Sequence, residues 1–212
     1  MNTSTELPAK DQAALSAILM KVDPPHRITW LIENWKQFNP PKQRYLLMKM
    51  WTTSEPPGTS KSPHNASLVS MFREVGFISD SETPDFPNPL TVYRGCLVPQ
   101  HRSMAWTTNI KIAREFAAGK HLPRIQTGYG LILTAQCPKS GLLGYCTGRG
   151  DFEVIVDPGK LKLDRLPKII RRRIDKNIKP DAAERAVAKI AREIARSYRI
   201  EIQVAELNRK YG

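Results

Sequence analysis

Cysteine and histidine are scarce in this chain of 212 residues, and their placement excludes several kinds of chemistry. The three cysteines, Cys96, Cys137 and Cys146, are odd in number and widely spaced, which suits neither a disulfide framework nor a CxxC metal pair. They read as free thiols, mostly buried. His26, His64, His101 and His121 never fall at the HxxxH or HExxH spacing that sets two imidazoles on one helical face, so no metal is expected. No apolar run approaches the roughly 18 residues of a membrane-crossing helix. The first 22 residues also lack a basic stretch leading into a purely apolar one, so a cytoplasmic location, the chain's own or a host's, is the expectation.

Acidic residues are in short supply as well: 33 Lys and Arg face 20 Asp and Glu, a net charge of +13. From Lys160 onward the count is 16 against 7, so +9 of that excess sits in the tail. Such a tail either attracts an acidic or nucleic-acid partner or is the solvated surface of helices. The hydrophobic fraction of 41% excludes wholesale disorder, and the length suits one buried core with an appendage.

The first 80 residues read as helices separated by proline breaks. In "KDQAALSAILMKV", Ala14, Leu15, Ile18, Leu19 and Val22 recur at helical spacing until Pro24 and Pro25. "RITWLIENWKQF" and "KQRYLLMKMW" behave alike, with Trp30, Trp35, Tyr45 and Trp51 read as packing residues rather than a stacking platform. "PHNASLVSMFREVG" predicts a fourth helix, capped by Asn65 and stopped at Gly76. The segments 52–65 and 79–89 read as connectors.

Between 88 and 160 the texture turns to short β-type runs: 90–98, 104–108, 129–137, 141–146 and 152–157, with one helix from an Asn109 cap to Gly119. Strands with so few helices between them predict an α+β fold with a mostly antiparallel core. Residues 161–212 are expected to form a basic, largely helical extension, with one helix starting near Pro180, Asp181 and Glu184.

Within the strand-rich part, "GRGDFEVIVDP" poses a problem, because an apolar strand opens on two acids. Side chains alternate along a strand, so Asp151 and Glu153 share a face with Ile155 and Asp157. Arg94 follows Tyr93 at the end of "LTVYRG", and Gly95 allows a turn or a close backbone approach. Thr107 and Thr108 precede a helix start. An arginine that forks onto phosphate, strand-end hydroxyls and a carboxylate on a neighbouring strand suit a phosphorylated ligand whose centre becomes cationic.

The order "TVYRG", "MAWTTN" with "AREFA", then "GRGDFEVIVDP", over residues 90–160, resembles the ADP-ribosyltransferases of the arginine–serine–glutamate class, found in cholera-like and clostridial toxins and in phage and bacterial effectors. The resemblance implies a split antiparallel β-sandwich core and NAD as a substrate, with no metal. It also implies a macromolecular acceptor, an arginine side chain of a protein foremost. By that likeness Glu153 stabilises the ribose cation, Asp151 addresses the incoming nucleophile and Arg94 grips the pyrophosphate. Tyr93, Gly95, Trp106, Thr107, Thr108 and Phe116 would line the NAD site, and Gly148, Arg149 and Asp151 would recognise the acceptor. Ala105 stands where the family usually has a serine. Two other readings stay open: NAD hydrolysis on the same scaffold, and a weakly catalytic protein that binds nucleic acid or protein through its tail.

Overall fold

The computed structural model describes residues 7–53, 65–97, 103–119, 129–148, 150, 152–164 and 168–171, together with Arg185, Lys189, Arg192, Glu193 and Arg196. Four helices come first: α1 (Ala9–Met20), α2 (Arg27–Asn34), α3 (Pro40–Thr53) and α4 (Asn65–Val75). Eight strands follow: β1 (Ile78–Ser79), β2 (Leu90–Leu97), β3 (Ala105–Thr107), β4 (Tyr129–Cys137), β5 (Leu142–Cys146), β6 (Glu153–Val156), β7 (Lys162–Leu163) and β8 (Lys168–Arg171). Helix α5 (Ile110–Ala118) lies between β3 and β4. The fold is α+β, and no described helix is long and apolar enough to cross a membrane.

Local chemistry accounts for most boundaries. Pro40 and Pro41 occupy the first turn of α3, where a missing N–H costs nothing, and the Asn39 side chain accepts from the Lys42 N–H at 3.2 Å. Asn109 caps α5 by accepting from the Lys111 N–H, and Gly119 ends it in the left-handed region at φ 81°. Gly76, at φ 75°, stops α4 in the same way. Asn65 is the first residue inside α4 rather than its cap, a shift of one position that helix ends commonly show.

The strands form one sheet in the order β1-β5-β6-β3-β2-β4-β7, with β8 sharing the outer edge of β4. All pairings are antiparallel except β1 with β5. Two of these strands depart from the helical extension expected after residue 160. The sheet takes β7 and β8 because β4 is nine residues long and offers a full edge to the "KLKL" and "KIIR" segments. Of the expected tail helix, Pro180, Asp181 and Glu184 lie outside the described residues. Arg185, Lys189, Arg192, Glu193 and Arg196 are helical and exposed.

One core lies on the sheet face carrying Val92, Trp106, Leu131, Leu133, Val154 and Val156. A second joins α1 to α4 with Leu143 and Ile155 from the opposite face of β5 and β6, so the N-terminal helices are seated on the sheet rather than apart from it. Arg73 of α4 donates to the buried Asp157 carboxylate just past β6, which adds an ion pair to that seating. Helix α5 covers the face of β2 and β4 that bears Gly95 and Gly130. A Cβ at Gly95 would stand 1.7 Å from the Ala113 carbonyl oxygen, and one at Gly130 would stand 1.9 Å from that of Ala117. Two glycines under two alanines therefore let helix and strands touch backbone to backbone.

Candidate active site

Registers across the sheet bring the sequence-derived residues together. Tyr93 on β2 stands opposite Thr107 on β3, Thr107 opposite Glu153 on β6, and Glu153 opposite Cys146 on β5. Residues directly opposed in antiparallel pairs share a face, so Tyr93, Thr107, Glu153 and Cys146 make one row across four strands. Adjacent strands are about 4.8 Å apart, which puts Tyr93 and Glu153 roughly 10 Å apart along that row.

Strands β2 and β3 meet at the single pair Tyr93 and Thr107 and then part toward Gly95 and Ala105. Arg94 fills the resulting fork, donating from Nη1 to the Ala105 carbonyl oxygen. By alternation its side chain leaves β2 with Val92 and Cys96, on the face opposite the Tyr93 row. Arg94 thus leaves the sheet on the side away from Glu153, against the expectation that the two meet at one site, and is tied to β3 through the Ala105 carbonyl. Ala105 contributes its backbone there, in the position where a serine was the family expectation.

Glu153 is half-buried and accepts a hydrogen bond from the Trp51 indole N–H at the last turn of α3. Trp51 is 1% exposed and packs edge-on to Phe72 at 5.4 Å, so this donor has little freedom to turn away. The bond spans 102 residues of sequence. Trp51 read correctly as a packing residue, but no sequence signal tied it to Glu153. Replacing it by Phe removes the donor and keeps most of the packing. Because a hydrogen bond to a charged group contributes about 1.5–3 kcal/mol, any reaction needing Glu153 in this orientation is expected to slow by roughly 10-fold or more. Turnover of Trp51→Phe, compared with its melting temperature, checks this.

Thr107 is buried and its Oγ1 accepts from the Asn109 N–H at 3.0 Å, so it ties β3 to the start of α5 while facing Glu153. Thr108 sits half-buried in the bend after it, and Phe116 is half-buried on α5. Two expected wall residues belong elsewhere. Trp106 is 2% exposed in the core behind the sheet, with its indole N–H given to the Ser103 carbonyl, because it alternates with Thr107. Gly95 faces α5, so its close backbone approach is to a helix and not to a ligand.

Arg149 and Asp151 lie outside the described residues. On either side of Asp151, Gly150 has φ 72° and Phe152 has φ 46°. A bulky residue in that region carries strain of roughly 1–3 kcal/mol, and Phe152 is also 46% exposed immediately before Glu153. The "GRG" pattern signals a turn, but nothing in the sequence singles out Phe152.

A second feature absent from the sequence reading is Asp80, just past β1. Its Oδ1 accepts from the Thr147 N–H at 2.8 Å and from Thr147 Oγ1 at 3.3 Å. Its Oδ2 accepts from the Gly148 N–H at 3.0 Å and from Cys146 Sγ at 3.1 Å. Burial alone would raise the Asp80 carboxyl, but these bonds together hold it below the usual carboxylate range. Asp80 is therefore ionised at neutral pH, and its contribution to stability is lost only as pH falls through that lowered value. Burial, followed by Asp80 as hydrogen-bond partner and negative charge, pushes the Cys146 thiol up to about 12, which makes it a poor nucleophile. Gly148 and Asp80 form one wall of a groove of about 350 Å³ whose other wall is Tyr45, Met48, Lys49 and Thr52 of α3.

Chemically, the row offers a carboxylate held by a rigid donor, a hydroxyl and an aromatic ring. Among the described residues no group of His, Cys, Asp and Glu is placed to hold a metal ion. Compared with known proteins, the chain matches no protein-family model, no curated protein and no solved structure.

Proposed function

We infer that the protein transfers ADP-ribose from NAD to a macromolecular acceptor, with an arginine side chain favoured, on a core of the ADP-ribosyltransferase type. The observation that carries this reading is the row of Tyr93, Thr107 and Glu153, with the Glu153 carboxylate held by the Trp51 indole. The near-separation of the sheet at one residue pair is compatible with a split core of that type.

Breaking the bond between nicotinamide and ribose leaves positive charge on the ribose, and a fixed carboxylate stabilises that charge more in the transition state than in the ground state. Glu153 supplies the carboxylate, with Trp51 limiting its motion. Arg94 is the side chain suited to the pyrophosphate, and Tyr93 and Phe116 offer aromatic surface for the leaving ring. Asp151 would orient the acceptor. The exposed helical residues Arg185, Lys189, Arg192 and Arg196 recur every three or four positions, and such a basic stripe suits an acidic or nucleic-acid-associated target.

The test is incubation of the purified protein with labelled NAD and a cell lysate, following both macromolecular label and free nicotinamide. Labelled macromolecules are the expected result. Nicotinamide without label would instead favour hydrolysis, with water in the acceptor's place. Neither product in several lysates would overturn the enzyme reading and leave the basic tail as the functional part.

A further inference from the structure

We propose that Asp80 is a positioning residue that sets the path of the acceptor, a guanidinium group, to Glu153 by anchoring the turn that closes the β5–β6 hairpin. The inference rests on the transferase reading above. It starts from where the turn begins: Cys146 ends β5 directly opposite Glu153, so any shift of the next residues moves the rim beside the carboxylate. Between Cys146 and Glu153 the described residues are Thr147, Gly148, Gly150 and Phe152. Within them Gly150 donates its N–H to the Thr147 carbonyl at 2.7 Å, which makes a tight reversal of the anchored end.

All of the anchor converges on one side chain. A carboxylate offers about four lone-pair sites. Those of Asp80 accept two backbone N–H groups, a hydroxyl and a thiol from three consecutive residues. Asp80 itself is fixed, because β1 runs parallel to β5 and the Asp80 N–H donates to the Tyr145 carbonyl. Gly148 lies so close that a Cβ there would be 3.1 Å from Asp80 Oδ2, so a side chain at this position would need the carboxylate to give by a few tenths of an ångström. Asp80 and Gly148 also wall the groove against α3, the helix whose Trp51 holds Glu153.

Asn at position 80 keeps the shape but has one acceptor oxygen, and its amide group would face an N–H donor. It satisfies one of the two backbone amides and leaves the other exposed to water. Asp80→Asn is therefore expected to speed hydrogen exchange at the Thr147 and Gly148 amides by about 10-fold or more, while the β6 amides stay protected. With agmatine as the guanidino acceptor, KM for agmatine should rise by roughly 10-fold, since binding energy at the rim is lost. KM for NAD and the rate of NAD hydrolysis should stay within about twofold, because Trp51 still holds Glu153. Asp80→Glu, which keeps the charge on a longer arm, should recover part of the agmatine effect.

Acceptor and hydrolysis rates that fall together with the melting temperature would make Asp80 merely structural and overturn the inference. So would an unchanged exchange pattern, an unchanged KM for agmatine, or a wild type that hydrolyses NAD but never modifies agmatine. A wild type that turns over no NAD would overturn the transferase reading itself, and that result is separable because exchange at Thr147 and Gly148 is read without NAD.

Discussion

Glu153→Gln is expected to slow nicotinamide release from NAD by roughly 10²–10³-fold, the range seen when one electrostatic partner of a transition state is removed. The substitution isolates charge from shape. Gln has the same length, and its Oε1 can still accept the Trp51 N–H that the carboxylate accepts now. The fold should therefore survive, with a melting temperature close to that of the wild type. Only the negative charge opposite the developing ribose cation is lost, so KM for NAD should change far less than kcat. A variant that keeps more than about a tenth of the activity would show that Glu153 is not the stabilising group.

The second large effect concerns assembly rather than chemistry. Gly95→Ala places a methyl carbon 1.7 Å from the Ala113 carbonyl oxygen and 2.6 Å from the Ala117 nitrogen. Both are backbone atoms, which cannot swing aside as a side chain does, so α5 as a whole must lift off β2. Overpacking of a core usually costs about 1–3 kcal/mol, and a rigid backbone contact belongs at or beyond the upper end. A loss of roughly 3 kcal/mol would lower the melting temperature of a chain this size by about 10 °C. Activity should suffer too, because α5 is capped by Asn109, whose N–H holds the hydroxyl of Thr107. Gly130→Ala is the companion variant, and thermal denaturation of both checks the contact. Unchanged melting in the two variants would mean that α5 does not rest on these strands.

Much of the architecture was legible because local rules produce it. Proline breaks, the Asn109 cap and the left-handed glycines at 76 and 119 mark helix ends by backbone sterics and hydrogen bonding, which act within a few residues. The strand runs between 90 and 157 were visible for the same reason. The extension after 160 misled because basic residues dominate its composition, whereas "KIIR" is captured by the open edge of β4. Edge pairing depends on a partner about 40 residues away, and no local pattern encodes it.

The candidate site divides along the same line. Arg94, Thr107 and Glu153 stood out as polar groups at strand ends, and alternation alone set Asp151 and Glu153 on one face. Alternation would also have removed Trp106 from the site, since it must face away from Thr107. Gly95 illustrates the limit of reading a glycine without its neighbour: the close approach was real, but the approaching backbone is that of α5. By itself, then, the sequence determined most element types before residue 160, the basic tail, the scarcity of metal ligands and the residue types able to stabilise a cationic centre. Tertiary structure alone decided that Tyr93, Thr107 and Glu153 form a row, that Trp51 restrains Glu153 and that Asp80 anchors the turn. Those contacts join residues 14 to 102 positions apart, and only the packing of separate elements brings such distant groups within hydrogen-bonding distance.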